Sequence, residues 1–203
     1  ELPSKGLLYP KDSPLAEGKI EMKYMTAKEE DILTNQNYIE KGIVVDKLLE
    51  SLIVSKVNYN DLLIGDKDAL LIACRILGYG KDYSFTYAGE SIEVDLTTLK
   101  NKDLDPKLIT DGKNEFTFKL PFTDNTITFK LLTQKDEKEI QREIKGLKKI
   151  SPSLTQDLSV RMKHMILSIN GNTERSVVRD FVDNGFLAKD ARAFREYYGK
   201  TVP

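Results

Sequence analysis

Two short segments of the chain alternate apolar and polar side chains, and each runs directly into a helix-start signal. The first segment carries Ile20, Met22 and Tyr24 between charged residues, and this period of two predicts a half-buried strand. Thr26 and Glu29 follow at the spacing of a capping box, in which a hydroxyl and a carboxylate satisfy free N–H groups at the start of a helix. A strand that passes at once into a helix is therefore predicted.

The same event recurs in the second half of the chain. Ile127, Phe129 and Leu131 alternate with polar residues, and Thr133 then opens another helix. Aligned segment on segment, the identical pairs are Ile20 and Ile127, Lys23 and Lys130, Thr26 and Thr133, Lys28 and Lys135, and Glu30 and Glu137. Chance explains this density of matches poorly, so we infer an internal duplication over residues 18–80 and 125–199.

Apolar stripes at helical spacing follow each predicted strand. Such stripes predict helices over residues 44–55 in the first half and 159–169 in the second, and further helices are expected over 66–77, 174–182 and 188–198. Gly78 and Gly80 predict the end of the helix over 66–77. The tripeptide 67–69 is repeated in type at 189–191, as Lys-Asp-Ala in both places, which adds to the case for duplication.

The segment between the two halves has the composition of a small β-sheet. Its three alternating runs contain Phe85 and Tyr87, then Ile92, Val94 and Leu96, then Phe116, Phe118 and Leu120. Residues 88–90 predict a turn between the first two runs, and residues 100–113 predict a connecting loop. We expect a small antiparallel β insertion over residues 81–124.

The N-terminal residues resist helix formation but carry apolar groups, because prolines and a glycine surround a run of leucines and a tyrosine. We interpret residues 1–16 as an extended arm, and two destinations are open to it: a partner protein, or the core of this chain. The candidate partner-binding residues are Leu2, Pro3, Gly6, Leu7, Leu8, Tyr9 and Pro10.

Together these patterns predict an α+β fold that is mostly helical, with duplicated strand-helix-helix units, a small antiparallel β insertion and an extended N-terminal arm. The predicted division is 1–16 for the arm, 17–80 for the first unit, 81–124 for the insertion and 125–203 for the second unit.

Charge and composition exclude several classes of function. The 31 basic and 32 acidic residues give a net charge of -1, so no global field favours nucleic acid or an anionic membrane. The longest apolar runs, 48–54 and 69–77, are too short and too interrupted for a membrane span. The N-terminus lacks an apolar signal core and the single cysteine cannot close an internal disulfide, which together favour a reducing cytosolic compartment.

Few residues are available for catalysis. His164 and Cys74 are each the only residue of their type, and His164 has no Asp or Ser at motif distance, so it is expected at a helix flank or the surface. The acid pairs Glu29/Glu30 and Asp180/Asp183 are expected on solvated helix faces, where they cap and solubilise.

Candidate ligand motifs are also incomplete. The 78–81 segment lacks the first glycine and the final Ser or Thr of a phosphate loop, so a helix terminator is the better interpretation. Asp103, Asp105 and Asp111 lack the glycine and the spacing of a calcium loop. Acidic and basic residues interleave over 135–149, which predicts an exposed charged helix and not a nucleic-acid stripe. The residues thus predict a binding or assembly module without enzyme activity, cofactor or metal.

Five segments carry a resemblance to a known family. They are residues 2–10, 25–34, 63–73, 183–184 and 188–195. In them the chain resembles the baseplate hub subunits of T-even-like contractile-tailed phages, and the likeness extends through most of its length. Relatives often carry a Cys-containing knuckle in the middle β region, where this chain has Tyr87-Ala88-Gly89-Glu90, so the resemblance implies no metal role here.

The resemblance implies a structural or assembly role in the phage tail baseplate. Other hub or tail proteins would be its partners, and self-association stays open. It would be made in the host cytoplasm and would reach the baseplate if retained in the virion. A tail-assembly chaperone absent from the mature particle is the alternative, and a cell-wall hydrolase would need a convergent cleft of carboxylates.

Overall fold

Helices dominate the structure, as the apolar periodicity predicts. The computed structural model describes residues 1–109, 112–153 and 155–202. Its helices are α1 (Ala27–Leu33), α2 (Gln36–Glu40), α3 (Val44–Leu52), α4 (Ile64–Tyr79), α5 (Gln134–Ile150), α6 (Asp157–Met165), α7 (Arg175–Asp180) and α8 (Ala188–Thr201), with a π-helical turn, Phe181–Gly185, after α7. Its strands are β1 (Asp82–Tyr87), β2 (Glu90–Asp95), β3 (Phe116–Lys119), β4 (Thr126–Phe129) and β5 (Ile166–Ile169). The predicted class, a mostly helical α+β fold, is confirmed.

The strands form two separate antiparallel sheets. One is the hairpin β1–β2, and the other has the order β3–β4–β5. The β insertion predicted over 81–124 is therefore wrong in its third strand, because β3 pairs with β4 of the second unit through Phe116 and Phe129 and not with the hairpin. The side chains of that pair stack with ring centroids 5.4 Å apart, which anchors β3 in the core.

Two other predictions fail at the level of single elements. The strand predicted at residues 20–24 is reduced to one antiparallel bridge between Met22 and Ile53. The helix predicted over 159–169 ends at Met165, because the backbone of Ile166–Ile169 pairs with β4. In both places a long-range partner decides the conformation, which local periodicity cannot reveal.

The prediction of an extended arm is also wrong. The N-terminal residues instead fold onto the core of this chain, which was the alternative destination. They form successive turns, with the chain reversing at Lys5 and Gly6, whose φ values are 52° and 77°. A Cβ at Gly6 would lie 2.3 Å from the Ala16 carbonyl oxygen, so only glycine fits there. Leu2, Leu8 and Leu15 belong to the central apolar cluster.

The two halves repeat the same backbone contact. In the first, the Lys23 N–H donates to the Leu52 carbonyl at 2.9 Å, and Leu52 is the last residue of α3. In the second, the Lys130 N–H donates to the Met165 carbonyl at 2.9 Å, and Met165 ends α6. In each half, the end of a later helix, α3 or α6, therefore lies beside the segment that precedes the capping box.

The capping boxes are repeated too, each with a lysine three residues before the capping threonine. The buried carboxylate of Glu29 accepts hydrogen bonds from the Thr26 N–H (2.9 Å) and hydroxyl (2.6 Å) and from the Ser51 hydroxyl (2.7 Å), and lies 2.9 Å from Lys23 Nζ. These contacts, led by the Thr26 hydroxyl, hold the pKa of Glu29 far below its usual range. Glu29 was expected on a solvated face, and its complete burial corrects that expectation.

Asp136 occupies the equivalent place at the start of α5. It accepts from the Thr133 N–H and hydroxyl, both at 2.9 Å, and pairs with Lys130 at 2.6 Å. Burial favours its neutral form, but the Lys130 ammonium and the Thr133 N–H outweigh burial and lower the pKa of Asp136.

A second pair of buried acids ties remote segments to the last helix of each half. Asp66, in the first turn of α4, accepts from the Ser4 N–H (2.9 Å), the Ser4 hydroxyl (2.6 Å) and the Tyr9 hydroxyl (2.5 Å). The Tyr9 hydroxyl in turn accepts from the Leu63 N–H at 2.9 Å. Burial, reinforced by the Asp66 charge, raises the pKa of Tyr9, so it remains a donor at all ordinary pH values.

Asp190, in the first turn of α8, does the same in the second half. It accepts from the Phe122 N–H (2.9 Å), the Thr123 N–H (3.1 Å) and the Thr123 hydroxyl (2.7 Å). In both halves the segment held in this way precedes the capping box, and its hydroxyl residue, Ser4 or Thr123, binds through both side chain and backbone. These shared contacts support the inferred duplication.

Both halves contribute residues to the central apolar cluster. Segments 62–64 and 132–134 run antiparallel, with the Ile64 N–H donating to Leu132 (3.0 Å) and the Gln134 N–H donating to Leu62 (2.8 Å). The buried Gln134 amide bridges both halves, since its Nε2 donates to Asp46 and its Oε1 accepts from Lys67, each at 2.8 Å.

Replacing either Asp66 or Asp190, the two acids that bind a segment distant in sequence, should destabilise the protein strongly. Asp66→Ala and Asp190→Ala each leave three donors without their carboxylate, so each should lower the free energy of unfolding by about 3 kcal/mol. Urea denaturation followed by circular dichroism measures this. The exposed Asp68→Ala is the matched control, and an effect of Asp68→Ala equal to that of Asp66→Ala would contradict the assignment.

The capping boxes predict loss of stability in acid. The pKa of Glu29 is lower in the folded chain than its ordinary value of 4.5, so the folded state binds fewer protons and its stability falls as the pH drops below that value. The urea midpoint should be flat near neutral pH and decline from about pH 5 downward. Glu29→Gln should flatten this decline, whereas the exposed Glu30→Gln should leave it unchanged.

Candidate interaction surface

The hairpin β1–β2 projects an uncovered aromatic face. Its turn, predicted at residues 88–90, places Ala88 and Gly89 at φ values of 51° and 84°, the left-handed pair that suits a two-residue hairpin loop. Tyr83, Phe85 and Tyr87 lie on one face, because side chains alternate along a strand. They are 43%, 39% and 70% exposed.

The opposing strand adds apolar side chains to that face. Phe85 lies opposite Ile92, and Tyr83 opposite Val94, in the antiparallel register. Cross-strand pairs of aromatic and β-branched residues stabilise a hairpin, but one face of each ring is left to solvent. The hairpin therefore carries a continuous apolar face with no covering layer in the described chain.

An apolar groove of about 360 Å³ continues from this face onto α4. Its lining residues are Met25, Leu33, Leu48, Leu71, Ile72, Cys74, Arg75, Tyr79, Tyr83 and Leu96. Tyr83 belongs to both the groove and the hairpin face, so the two form one surface. We call it the hairpin–α4 surface.

Gly78 allows the floor of this groove to close. A Cβ at Gly78 would lie 2.4 Å from the Met25 sulfur, so a larger residue would push Met25 out of place. Cys74 lies beneath with its Sγ 3.9 Å from the same sulfur, and burial raises the pKa of its thiol, which keeps it protonated. Gly80 follows the last residue of α4 and ends the helix as predicted, whereas Gly78, which was also expected to end it, lies within the last turn of α4.

Arg75 fixes the hairpin to the helix. Its guanidinium lies 5.2 Å from the ring centre of Tyr79 and 5.6 Å from that of Tyr83, and it donates to the carbonyls of Gly80 (3.1 Å) and Asp82 (3.3 Å). A planar cation suits stacking between two rings better than lysine would. An ion pair between Lys81 and Asp95, at 2.7 Å, joins the two ends of the hairpin.

Most of the N-terminal candidates do not reach this surface or solvent. Of the seven residues predicted to bind a partner, Leu2, Pro3, Gly6, Leu8 and Tyr9 are buried within this chain, and Leu7 and Pro10 are exposed. The buried five serve the core and the Asp66 contacts. Only the exposed two remain available for a partner.

The residues weighed for chemistry are held by internal partners. His164 is partly buried, with its Nε2 2.9 Å from Glu143, and Glu143 also pairs with Arg179. Ligand atoms of Asp136, Glu139 and His164 lie within 4.8 Å of one another, the spacing of a metal site. Asp136, however, already caps α5 and is neutralised by Lys130, so helix capping explains its position better than metal ligation.

The other acids have similarly ordinary roles. Asp183 pairs with Lys163 at 2.7 Å and Asp180 accepts from the Asn184 amide at 2.8 Å. Asp103 pairs with Lys5 at 2.7 Å and Asp105 accepts from the Lys107 N–H at 2.9 Å. Asp111 lies outside the described residues.

Sequence reasoning found the hairpin but missed the groove. The available signal was that apolar residues of α4 are not confined to one stripe, since Leu70 and Cys74 are buried while Leu71, Ile72 and Leu77 are 36–37% exposed. A helix that is apolar on more than one side has two faces to cover.

Comparisons with known proteins gave no match. No family model, no curated protein and no solved structure matches the chain. Within the described residues, none of the helices has the length and apolar character that crossing a bilayer requires.

Removing the Arg75 side chain should loosen the hairpin without unfolding the core. Arg75→Ala should raise hydrogen exchange in the amides of β1 and β2, because the stacking and both carbonyl contacts are lost. Amides of β4 should exchange as before. Arg192→Ala, which removes an exposed arginine side chain of α8, is the control, and unchanged exchange in the hairpin of Arg75→Ala would contradict this role.

Proposed function

We propose that this chain acts by protein–protein interaction, as a structural or assembly subunit of a contractile phage tail baseplate hub. The observation that carries the proposal is the hairpin–α4 surface. It combines three exposed aromatic rings with an apolar groove in one continuous area. Exposed apolar areas of this kind characterise sites of protein association.

The physics of the hairpin supports a protein partner. An isolated two-stranded sheet is only marginally stable in water, and this one has no third strand or covering helix in the described chain. Its outer strand edges can accept an added strand, and its Tyr and Phe rings offer large, stiff contact area. A partner that covered the aromatic face would therefore bury apolar area and also stabilise the hairpin.

The hub assignment draws on the resembling segments. Segments 2–10, 63–73 and 188–195 contain Ser4, Tyr9, Asp66 and Asp190, which are the residues that tie each half together. The resemblance therefore concerns the scaffold. Hub and tail proteins are the partners that it implies, and the surface supplies a place for them to bind.

A direct test uses co-expression with candidate baseplate hub proteins and affinity capture. The variant Phe85→Ser/Tyr87→Ser should lose capture by at least tenfold and keep its thermal stability, since both rings are exposed and outside the central cluster. Phe122→Ser/Ile150→Ser removes two apolar side chains elsewhere that are 60% and 81% exposed, and this variant should bind normally. Equal capture of both double variants would refute the surface assignment.

The chaperone alternative makes a different prediction about the particle. Mass spectrometry of purified mature tails should detect the chain if it is a structural subunit and should not detect it if it is a transient chaperone.

Light scattering of the purified chain separates a hub partner from self-association, because a dimer lost in Phe85→Ser/Tyr87→Ser would mean that a second copy covers the surface.

A further inference from the structure

A second groove, remote in sequence from the hairpin, has a different character. It has a volume of about 790 Å³ and lies between the α2–α3 connection and one face of α5. Its lining residues are Ile39, Glu40, Lys41, Gly42, Ile43, Val45, Asp46, Lys67, Gln134, Glu137, Lys138, Gln141, Arg142 and Lys145. We call it the α2–α5 groove.

The acids of this groove are largely neutralised by neighbours. Asp46 pairs with Lys67 at 2.8 Å and accepts from the Tyr59 hydroxyl at 2.8 Å. Glu137 receives both arms of the Arg161 guanidinium at 2.7 Å. Among the acids that line the groove, Glu40 is the one with no ion-pair partner in the described residues.

Most cations of the groove, in contrast, are not paired with a carboxylate. Lys41, Arg142 and Lys145 are exposed and form no ion pair with any described carboxylate. Lys138 donates to the neutral Asn60 side chain at 2.7 Å and lies over the Tyr59 ring. Four cations thus face one free carboxylate, and the groove is locally positive although the whole chain carries a net charge of -1.

The helical period explains why these positive charges lie on one face of α5. Lys138, Arg142 and Lys145 lie four and three residues apart on α5, so they share one face of the helix. The opposite face buries Ile140 and Ile144 in the second apolar cluster, which holds the helix against rotation. The cations are consequently presented on a fixed helix.

Apolar side chains also line the groove. Ile43 and Val45 are partly buried, and Ile39 at its edge is 46% exposed. A site for a small anion would not need these side chains, and a single-stranded nucleic acid would need aromatic rings for stacking, of which the lining has none. Apolar contacts beside unpaired cations suit a peptide that carries both acidic and aliphatic residues.

We propose that the α2–α5 groove binds an acidic, aliphatic-containing segment of a partner protein. Carboxylates of that segment pair with Lys41, Arg142 and Lys145, and its aliphatic side chains cover Ile39, Ile43 and Val45. The site is separate from the hairpin–α4 surface and would hold even if the partner of that surface were not a hub protein.

The test uses a fluorescein-labelled short peptide that alternates glutamate with leucine and valine, with binding followed by fluorescence anisotropy. Wild-type protein should bind it, and the affinity should weaken as salt is raised. Lys41→Gln/Arg142→Gln/Lys145→Gln should reduce the affinity about tenfold. Lys135→Gln/Lys148→Gln/Lys149→Gln removes the same charge from α5 residues outside the groove and should bind within about twofold of wild type.

Further probes separate the alternatives. Ile39→Ser should weaken binding of this peptide but leave binding of an all-glutamate peptide unchanged. No binding by the wild-type protein, equal losses in both triple variants, or tighter binding of an oligothymidylate than of the peptide would each overturn the proposal. Because Phe85→Ser/Tyr87→Ser leaves this groove intact, it should bind the peptide normally, which keeps the test independent of the hairpin surface.

Discussion

Four buried carboxylates, each at the third position of a helix, are the constraint on which this structure depends. Glu29, Asp66, Asp136 and Asp190 are the buried acids in the described residues, and each lies in the first turn of α1, α4, α5 or α8. A carboxylate at that position meets free backbone N–H groups and the positive end of the helix dipole, so burial costs less there than elsewhere. Two of them organise their own helix, and two hold a distant segment in place.

This arrangement explains which features the sequence could predict. The capping box of Thr26 and Glu29 is local, because donor and acceptor are three residues apart, and it was predictable from spacing alone. The contact of Ser4 with Asp66 spans 62 residues and that of Phe122 with Asp190 spans 68, so no periodicity reveals either. The same reason accounts for the N-terminal segment, which was predicted as an extended arm with either a partner or the core as its destination and is held on the core by Asp66.

The errors in strand and helix assignment have a related origin. Ile166 and Ile169 fit an apolar helical stripe with Met162, and they equally fit a short buried strand. Pairing with β4 decides in favour of the strand. In the candidate surface, the hairpin was predictable because its turn and alternation are local, whereas the groove depends on how α4 packs on α3 and Met25, and this is a tertiary property.

The hairpin is attached to the body of the fold but contributes nothing to its central core. No residue of β1 or β2 belongs to the central apolar cluster, and the strands are joined to the body through Arg75 and the ends of the hairpin. Substitutions at its tip should therefore change the exposed surface with little effect on folding. The dozen paired positions of such a hairpin can therefore vary in sequence while the body beneath keeps its architecture.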